Sequence, residues 1–97
     1  MSVIVTISLK IDPDNTLMLL DLLEERVEDT RHFKGCEAFA IYGDETHPGS
    51  IMIYQVWSSR KDQKYYFSSR PENRLMELLE PFILEAPIVR SVDELIA

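Results

Sequence analysis

Apolar residues recur at every second position at the start of the chain, over residues 3–11. Four apolar side chains fall on one face of this segment, namely Val3, Val5, Ile7 and Leu9. Because successive side chains of a β-strand point to opposite faces, this pattern predicts a strand with one buried face.

The apolar spacing changes from two residues to three or four after Asp12, which is typical of an amphipathic helix. Asp12 is a suitable capping residue, and Pro13 fits the first turn of a helix. The pattern predicts a helix that ends near Arg31. Its predicted buried stripe consists of Leu17, Leu20, Leu23 and Val27.

Two strands are predicted next, over residues 36–42 and 51–57, because both segments are rich in β-branched and aromatic residues. Gly35 marks the turn before the first of them. The segment 43–49 between them is dense in turn-forming residues, so the two strands are predicted to form a hairpin with a long loop.

A second helix is predicted over residues 60–70, preceded by a serine cap. Pro71 breaks or restarts it, and a further apolar stripe predicts another helix that ends at Pro81. This stripe comprises Leu75, Leu78, Leu79 and Phe82. The segment 88–92 is short and β-branched, and is predicted to be the closing strand.

The predicted order βαββαβ is that of a ferredoxin-like α+β fold, an antiparallel sheet with helices on one face. The 97 residues fit one domain, over residues 1–97. The strand 51–57 is apolar on both faces, since Ile51, Ile53 and Trp57 alternate with three other apolar or aromatic residues. In the strand 36–42, the alternation places Phe39 and Ile41 on one face and Cys36, Ala38, Ala40 and Tyr42 on the other.

Helices on one face leave the other sheet face uncovered. An apolar face of this size favours a homodimer in which two sheets pack face to face.

Composition and charge narrow the classes of partner. Ten basic and 17 acidic residues give a net charge of −7, which disfavours binding to nucleic acid or to an anionic membrane. Cys36 is the only cysteine, so an internal disulfide is excluded and a cytoplasmic location is expected. The N-terminus lacks the features of a signal peptide, and no apolar run is long enough to span a membrane.

The pattern W-x8-Y-x3-R is the strongest candidate for a site, and it is formed by Trp57, Tyr66 and Arg70. Tyr66 and Arg70 lie one helical turn apart, on a face that should fold back over the sheet near Trp57. An indole-lined slot with a phenol and a guanidinium at its rim would hold a flat ring and an oxyanion. The alternative is purely structural, because each residue type is ordinary at its position.

Other chemistry has weaker support in the sequence. His32 lies at a helix end, His47 lies in a loop, and Cys36 has no base at a defined position beside it. The three glycines match no phosphate-binding motif, and two histidines with one cysteine are too few for a structural zinc site. Neither a structural zinc site nor a nucleotide cofactor is indicated by these residues.

Two stretches resemble the antibiotic biosynthesis monooxygenase family of dimeric α+β barrel proteins. These stretches are TRHFKGCEAFAIYGDETHPGSIMIYQVW and KDQKYYFSSRPENRLMELLEPFI. The resemblance rests on their combined order and spacing along most of the chain. It implies an oxygenase that needs neither metal nor organic cofactor and acts on phenols or quinols with dioxygen.

The resemblance also implies a role for each site residue. Trp57 would stack on the substrate, Arg70 would offset its negative charge, and Tyr66 would donate a hydrogen bond or relay a proton. The predicted substrate-binding residues are Gln55, Phe39 and Phe67.

This chain departs from the family pattern at two positions, because many relatives have histidine in place of Tyr66 and glutamate in place of Gln55. The usual general bases are therefore missing, and tyrosine with a pKa of about 10 is a poor base near neutral pH. Haem cleavage is disfavoured as well. The haem-degrading relatives have an asparagine on the first strand, whereas this strand offers only Thr6 and Ser8 as uncharged polar side chains. A second hypothesis remains, a non-catalytic dimeric module that binds a small ligand or serves in a stress response.

Overall fold

A computed structural model describes residues 2–69 and 78–96 of the chain. Its strands form one antiparallel sheet with the spatial order β2-β3-β1-β4. The four strands are β1 (Val3–Lys10), β2 (Cys36–Gly43), β3 (Ser50–Trp57) and β4 (Ile88–Asp93). Strands β1 and β3 occupy the centre of the sheet, and each is hydrogen-bonded to a neighbouring strand on both sides.

Two helices follow the predicted order, α1 (Thr16–Arg31) after β1 and α2 (Arg60–Ser69) after β3. A short 3-10 helix, Pro13–Asn15, precedes α1, and the carboxylate of Asp12 accepts a hydrogen bond from the backbone N–H of Asp14. The ferredoxin-like α+β fold is confirmed by this arrangement. Across residues 2–69 and 78–96, no helix combines the length and the apolar character needed to cross a membrane.

The third predicted helix falls largely outside the described residues, including Leu75. Leu78 and Leu79 are helical, and a 3-10 helix, Glu80–Phe82, follows them. Leu79 is fully buried in the hydrophobic core. The part of the stripe that the structure describes therefore does face the core.

The core lies between the sheet and the helices. Each predicted inward residue of β1 is buried, and register pairs these residues with inward residues of β3, for example Ile7 with Ile53. Leu19 and Leu23 of α1 cover this face. Strand β4 forms one edge and is exposed along its length.

The buried stripe of α1 differs from the predicted one. Leu17 is 79% exposed and Leu20 is 39% exposed, whereas Leu19, Leu23 and Thr30 are buried. The prediction was correct at Leu23 and at half-buried Val27, but the stripe extends back to Leu19 and forward to Thr30. The cause is the rotation of the helix about its own axis against the sheet. The spacing of the leucines alone does not determine this rotation.

Cys36 lies on the opposite face from the predicted one. It pairs with Trp57, while Ala38 pairs with Val56, so the register shifts between Cys36 and Ala38. This β-bulge inserts one extra residue, Glu37, and reverses the side to which the first residue points. Cys36 therefore packs against the core rather than joining Ala38, Ala40 and Tyr42 on the other face.

The second sheet face has apolar and aromatic side chains that α1 and α2 leave uncovered. We call it the open face. It carries Ile4, Ala38, Ala40, Tyr42, Met52, Tyr54, Val56, Ile88 and Val92, by register and burial. The rings of Tyr42 and Tyr54 meet edge to face on it, with centroids 6.2 Å apart. The prediction that β3 is apolar on both sides is confirmed.

Gly35 joins the ends of three elements. Its φ angle is +86°, and a Cβ atom at this position would lie 2.5 Å from the side chain of Asp62 on α2. Its carbonyl accepts a hydrogen bond from the backbone N–H of Ser58, which follows β3. Only glycine fits this backbone conformation without strain. The junction fixes the start of α2 against the end of α1, and so positions the tyrosines of α2.

Candidate functional site

Aromatic side chains cluster where α2 crosses the end of β3. Trp57 and Tyr66 lie ring against ring, with centroids 4.8 Å apart and planes tilted by 33°. Phe33 meets Trp57 and Tyr66 edge to face, at 6.3 and 5.0 Å. Phe67 meets Tyr66 in the same way at 5.3 Å. The predicted proximity of Trp57 and Tyr66 thus holds in the structure.

Burial is nearly complete at the centre of this cluster. Trp57 is 0% and Tyr66 is 2% exposed. Tyr66 therefore lies inside the packed cluster. The predicted position of its phenol, at the rim of an open slot, is wrong. The two rings pack against each other as the apolar centre of the cluster.

Gln55 contacts Trp57 from the same face of β3. The indole Nε1–H of Trp57 donates a hydrogen bond to Gln55 Oε1 at 3.0 Å, and Gln55 is 0% exposed. An indole nitrogen can only donate, so the amide oxygen must face it. Gln55 Nε2 is buried and has no hydrogen-bond partner among the described residues. Such a group requires an explanation, because buried polar atoms are nearly always paired.

Two hydroxyl groups link α2 to α1 at the aromatic cluster. The hydroxyl of Thr30 donates to the backbone carbonyl of Arg26 at 2.8 Å, and Tyr66 Oη lies 3.0 Å from Thr30 Oγ1. Because Thr30 has a single proton and gives it to Arg26, Tyr66 donates to Thr30. The phenol is thereby held in one orientation.

The remaining predicted residues lie at different distances from this centre. Phe39 is buried and pairs in register with Gln55 across β2 and β3. Phe67 is half-buried and touches Tyr66. Arg70, the predicted partner of a substrate anion, lies outside the described residues. The structure therefore brings together Trp57, Tyr66, Gln55, Phe39 and Phe67.

Two members of the cluster were missed from the sequence, Thr30 and Phe33. Thr30 lies seven residues after Leu23 and three after Val27, so it continues the buried stripe of α1. Its position among charged residues hid this signal. Phe33 lies just beyond the end of α1, where periodicity no longer predicts which way a side chain points.

The weaker candidates do not join the cluster. His32 and His47 are both exposed; the Nδ1 atom of His32 lies 2.9 Å from the carbonyl oxygen of Glu28, and that of His47 lies 3.1 Å from Asp44 Oδ2. Burial raises the pKa of the Cys36 thiol above its ordinary value and outweighs the hydrogen bond to Ala38 and the Arg31 cation, which both lower it. A raised pKa keeps the thiol protonated near neutral pH, which disfavours nucleophilic chemistry.

Two surface cavities formed by the described residues lie away from Trp57. One of about 350 Å³ opens at the end of the sheet on the open face, between Tyr42, Met52 and Ile88. A broader groove of about 700 Å³ runs between α1 and β2, over Leu23, Val27 and Ile41. Neither cavity reaches the stacked rings.

Several solved structures share this fold. A crystal structure of an antibiotic biosynthesis monooxygenase matches with a TM-score of 0.83 and 24% identity, over 96% of this chain and 98% of that one. Rv0793 from Mycobacterium tuberculosis matches with a TM-score of 0.86 and 18% identity, over 100% and 98% of the two chains. A conserved protein from Methanosarcina mazei Go1 matches with a TM-score of 0.85 and 14% identity, over 94% and 90%. At these identities the likeness shows the fold.

The sheet order and the matching structures define a ferredoxin-like α+β protein. Residues 2–76 match the family model described as Antibiotic biosynthesis monooxygenase. The chain belongs to this family.

A curated relative, the uncharacterized protein sll1783 of Synechocystis, is 28% identical over 67 residues, or 69% of this chain and 46% of the relative. The chain thus spans about half the length of the curated relative that it matches.

Proposed function

We propose that the protein is a cofactor-independent monooxygenase that acts on a small aromatic or quinol-type substrate. The observation that supports this most is the apolar Trp57–Tyr66 stack with the buried amide of Gln55 beside it. Membership of the antibiotic biosynthesis monooxygenase family supports the general class of activity.

In this proposal the electrons that reduce dioxygen come from the substrate itself. The protein holds an electron-rich ring, favours its deprotonated form, and keeps the reaction away from bulk water. Trp57 stacks on the ring, while Phe39 and Phe67 complete the apolar lining. Arg70 offsets the negative charge, a role taken from the family resemblance. Tyr66 orients the substrate from the α2 side through its fixed phenol ring.

We also propose that the working unit is a homodimer formed by two open faces. Exposed Tyr42, Met52, Ile88 and Val92 make this face more apolar than a monomer commonly leaves in water. A two-fold interface would cover both copies of the face at once. A cytoplasmic location stays the expectation from the sequence.

A non-catalytic module that binds a small apolar ligand is the alternative. The absence of histidine at position 66 and of glutamate at position 55 favours it, because no side chain in the described cluster is an obvious general base. The same stack would then serve binding alone.

Oxygen consumption distinguishes the two functions. The purified protein is mixed with anthrone-type phenols or menadiol, and dioxygen uptake is followed with an electrode. Uptake well above the buffer rate supports the oxygenase, and its absence for every substrate supports the binding module.

Variants then test the site. We expect Trp57→Phe, Tyr66→Phe and Arg70→Ala each to lower the rate while the thermal melt stays cooperative. Tyr65→Phe is the matched control, because Tyr65 is the exposed neighbour of Tyr66 on α2. Full activity in all three site variants would rule out this site.

A further inference from the structure

The hydrogen-bond donors of the aromatic cluster are engaged with the protein, with one exception. The indole N–H of Trp57 is given to Gln55, and the hydroxyl proton of Tyr66 is given to Thr30. Neither proton is available to a ligand while these bonds last. The exception is the amide nitrogen of Gln55, which is buried and carries two N–H donors without a partner in the described parts of the chain.

The orientation of this amide is fixed by its neighbour. If the amide were rotated, its N–H groups would face the indole N–H and two donors would oppose each other. Trp57 therefore fixes the orientation of the Gln55 amide: the oxygen is bonded to the indole, and the buried nitrogen is left without a partner among the described residues. A buried donor held in this way is stabilised by an acceptor, and most strongly by a negatively charged one.

We propose that Gln55 is the residue that contacts the substrate oxygen and that it selects oxygens able only to accept, such as an ionised phenol. This inference rests on the proposed function in one respect, that the substrate binds at the aromatic cluster. Gln55 then favours the anionic form of the substrate by binding it, with no base required on the protein. A glutamate at this position would provide acceptors instead and would favour the neutral phenol.

A phenol whose ionisation changes its colour tests the proposal directly. The probe is 4-nitrophenol, which ionises near neutral pH and absorbs visible light only as the phenolate. Its absorbance is titrated against pH with and without saturating protein. We expect the bound probe to ionise about one to two pH units below the free probe, the effect of a hydrogen bond to a charged group.

Two variants of Gln55 assign the effect. Gln55→Met removes the amide with little change in length, and it should abolish the shift. Gln55→Glu keeps the shape and the acceptor for Trp57, and it should reverse the shift; it carries the test if Gln55→Met fails to fold by circular dichroism. Gln63→Glu on α2 is the matched control for added charge and should keep the wild-type shift.

Three outcomes overturn the proposal: no binding of 4-nitrophenol by the wild type, no shift on binding, or a shift that survives Gln55→Met or Gln55→Glu. The assay uses no dioxygen turnover, so the two proposals fail separately. A shift without oxygen uptake keeps the role of Gln55 and rejects the oxygenase, and oxygen uptake without a shift does the reverse.

Discussion

Tyr66 and Thr30 are joined hydroxyl to hydroxyl at 3.0 Å, although 36 residues separate them in the chain. The contact crosses from α2 to α1 and is buried. It is made at the phenol oxygen, at the edge of the ring, and so it fixes the ring without occupying the face that packs against the indole of Trp57. Thr30 accordingly positions the ring of Tyr66.

Loss of the Thr30 hydroxyl should leave the phenol of Tyr66 without this acceptor. We expect Thr30→Val to lower the free energy of unfolding by about 0.5–1.5 kcal/mol, the range for the loss of one hydrogen bond. Thr30→Ser keeps the hydroxyl and should cost much less. Urea denaturation of the three proteins measures the difference. Equal stability of Thr30→Val and the wild type would contradict the assigned bond.

Substitution of Gly35 should disturb the junction that positions α2. Gly35→Ala places a side chain on a backbone with φ of +86° and against Asp62. We expect a loss of at least about 1 kcal/mol of stability from the backbone conformation alone. Gly43→Ala is the control, because nothing lies within 4 Å of a Cβ atom there. Thermal melts should separate the two variants clearly; similar melting temperatures would refute the explanation.

The thiol of Cys36 should react slowly at neutral pH. Its pKa is raised by burial, so the fraction present as thiolate at a given pH is smaller than in a free thiol. The rate of alkylation by iodoacetamide should therefore rise with pH, and the midpoint of this rise should lie at higher pH than that of glutathione. Mass spectrometry of the modified chain measures the rate. A curve displaced to lower pH would instead indicate an activated thiol.

A charge on the open face should block the proposed dimer. Met52→Lys introduces a cation among the apolar side chains of the open face, which already carries Arg90 at its β4 edge, and light scattering should then give a particle of 11.3 kDa in place of one of twice that mass. Met18→Lys provides the matched control, since Met18 is 50% and Met52 is 37% exposed and only Met52 lies on the open face. A monomeric wild type, or dissociation by both variants, would argue against this interface.

Much of the fold follows from periodicity in the sequence. The alternation in β1 and β3 predicts which side chains are buried, because a strand has only two faces and a period of two leaves one choice. The length of the helix α1 was predicted, but the face that it turns toward the sheet was not. Leu17 and Leu20 share the spacing of a buried stripe, and only packing against the sheet selects Leu19 and Thr30 instead.

The site was predictable in part for similar reasons. Trp57 ends a buried strand and Tyr66 follows it on the next helix, so their approach could be inferred from order alone. The hydrogen-bond partner of each polar atom could not be inferred in this way. The bulge at Glu37, the bond from Thr30 to Tyr66 and the direction of the Gln55 amide all depend on contacts between distant residues.

Trp57 is the single tryptophan of the chain, and it lies wholly inside the cluster. Its fluorescence therefore reports on one place in the molecule, with no background from other indoles. Emission from a buried ring shifts to longer wavelength when water or a polar ligand reaches it. The protein thus contains its own optical probe, through which opening of the cluster can be timed without any label.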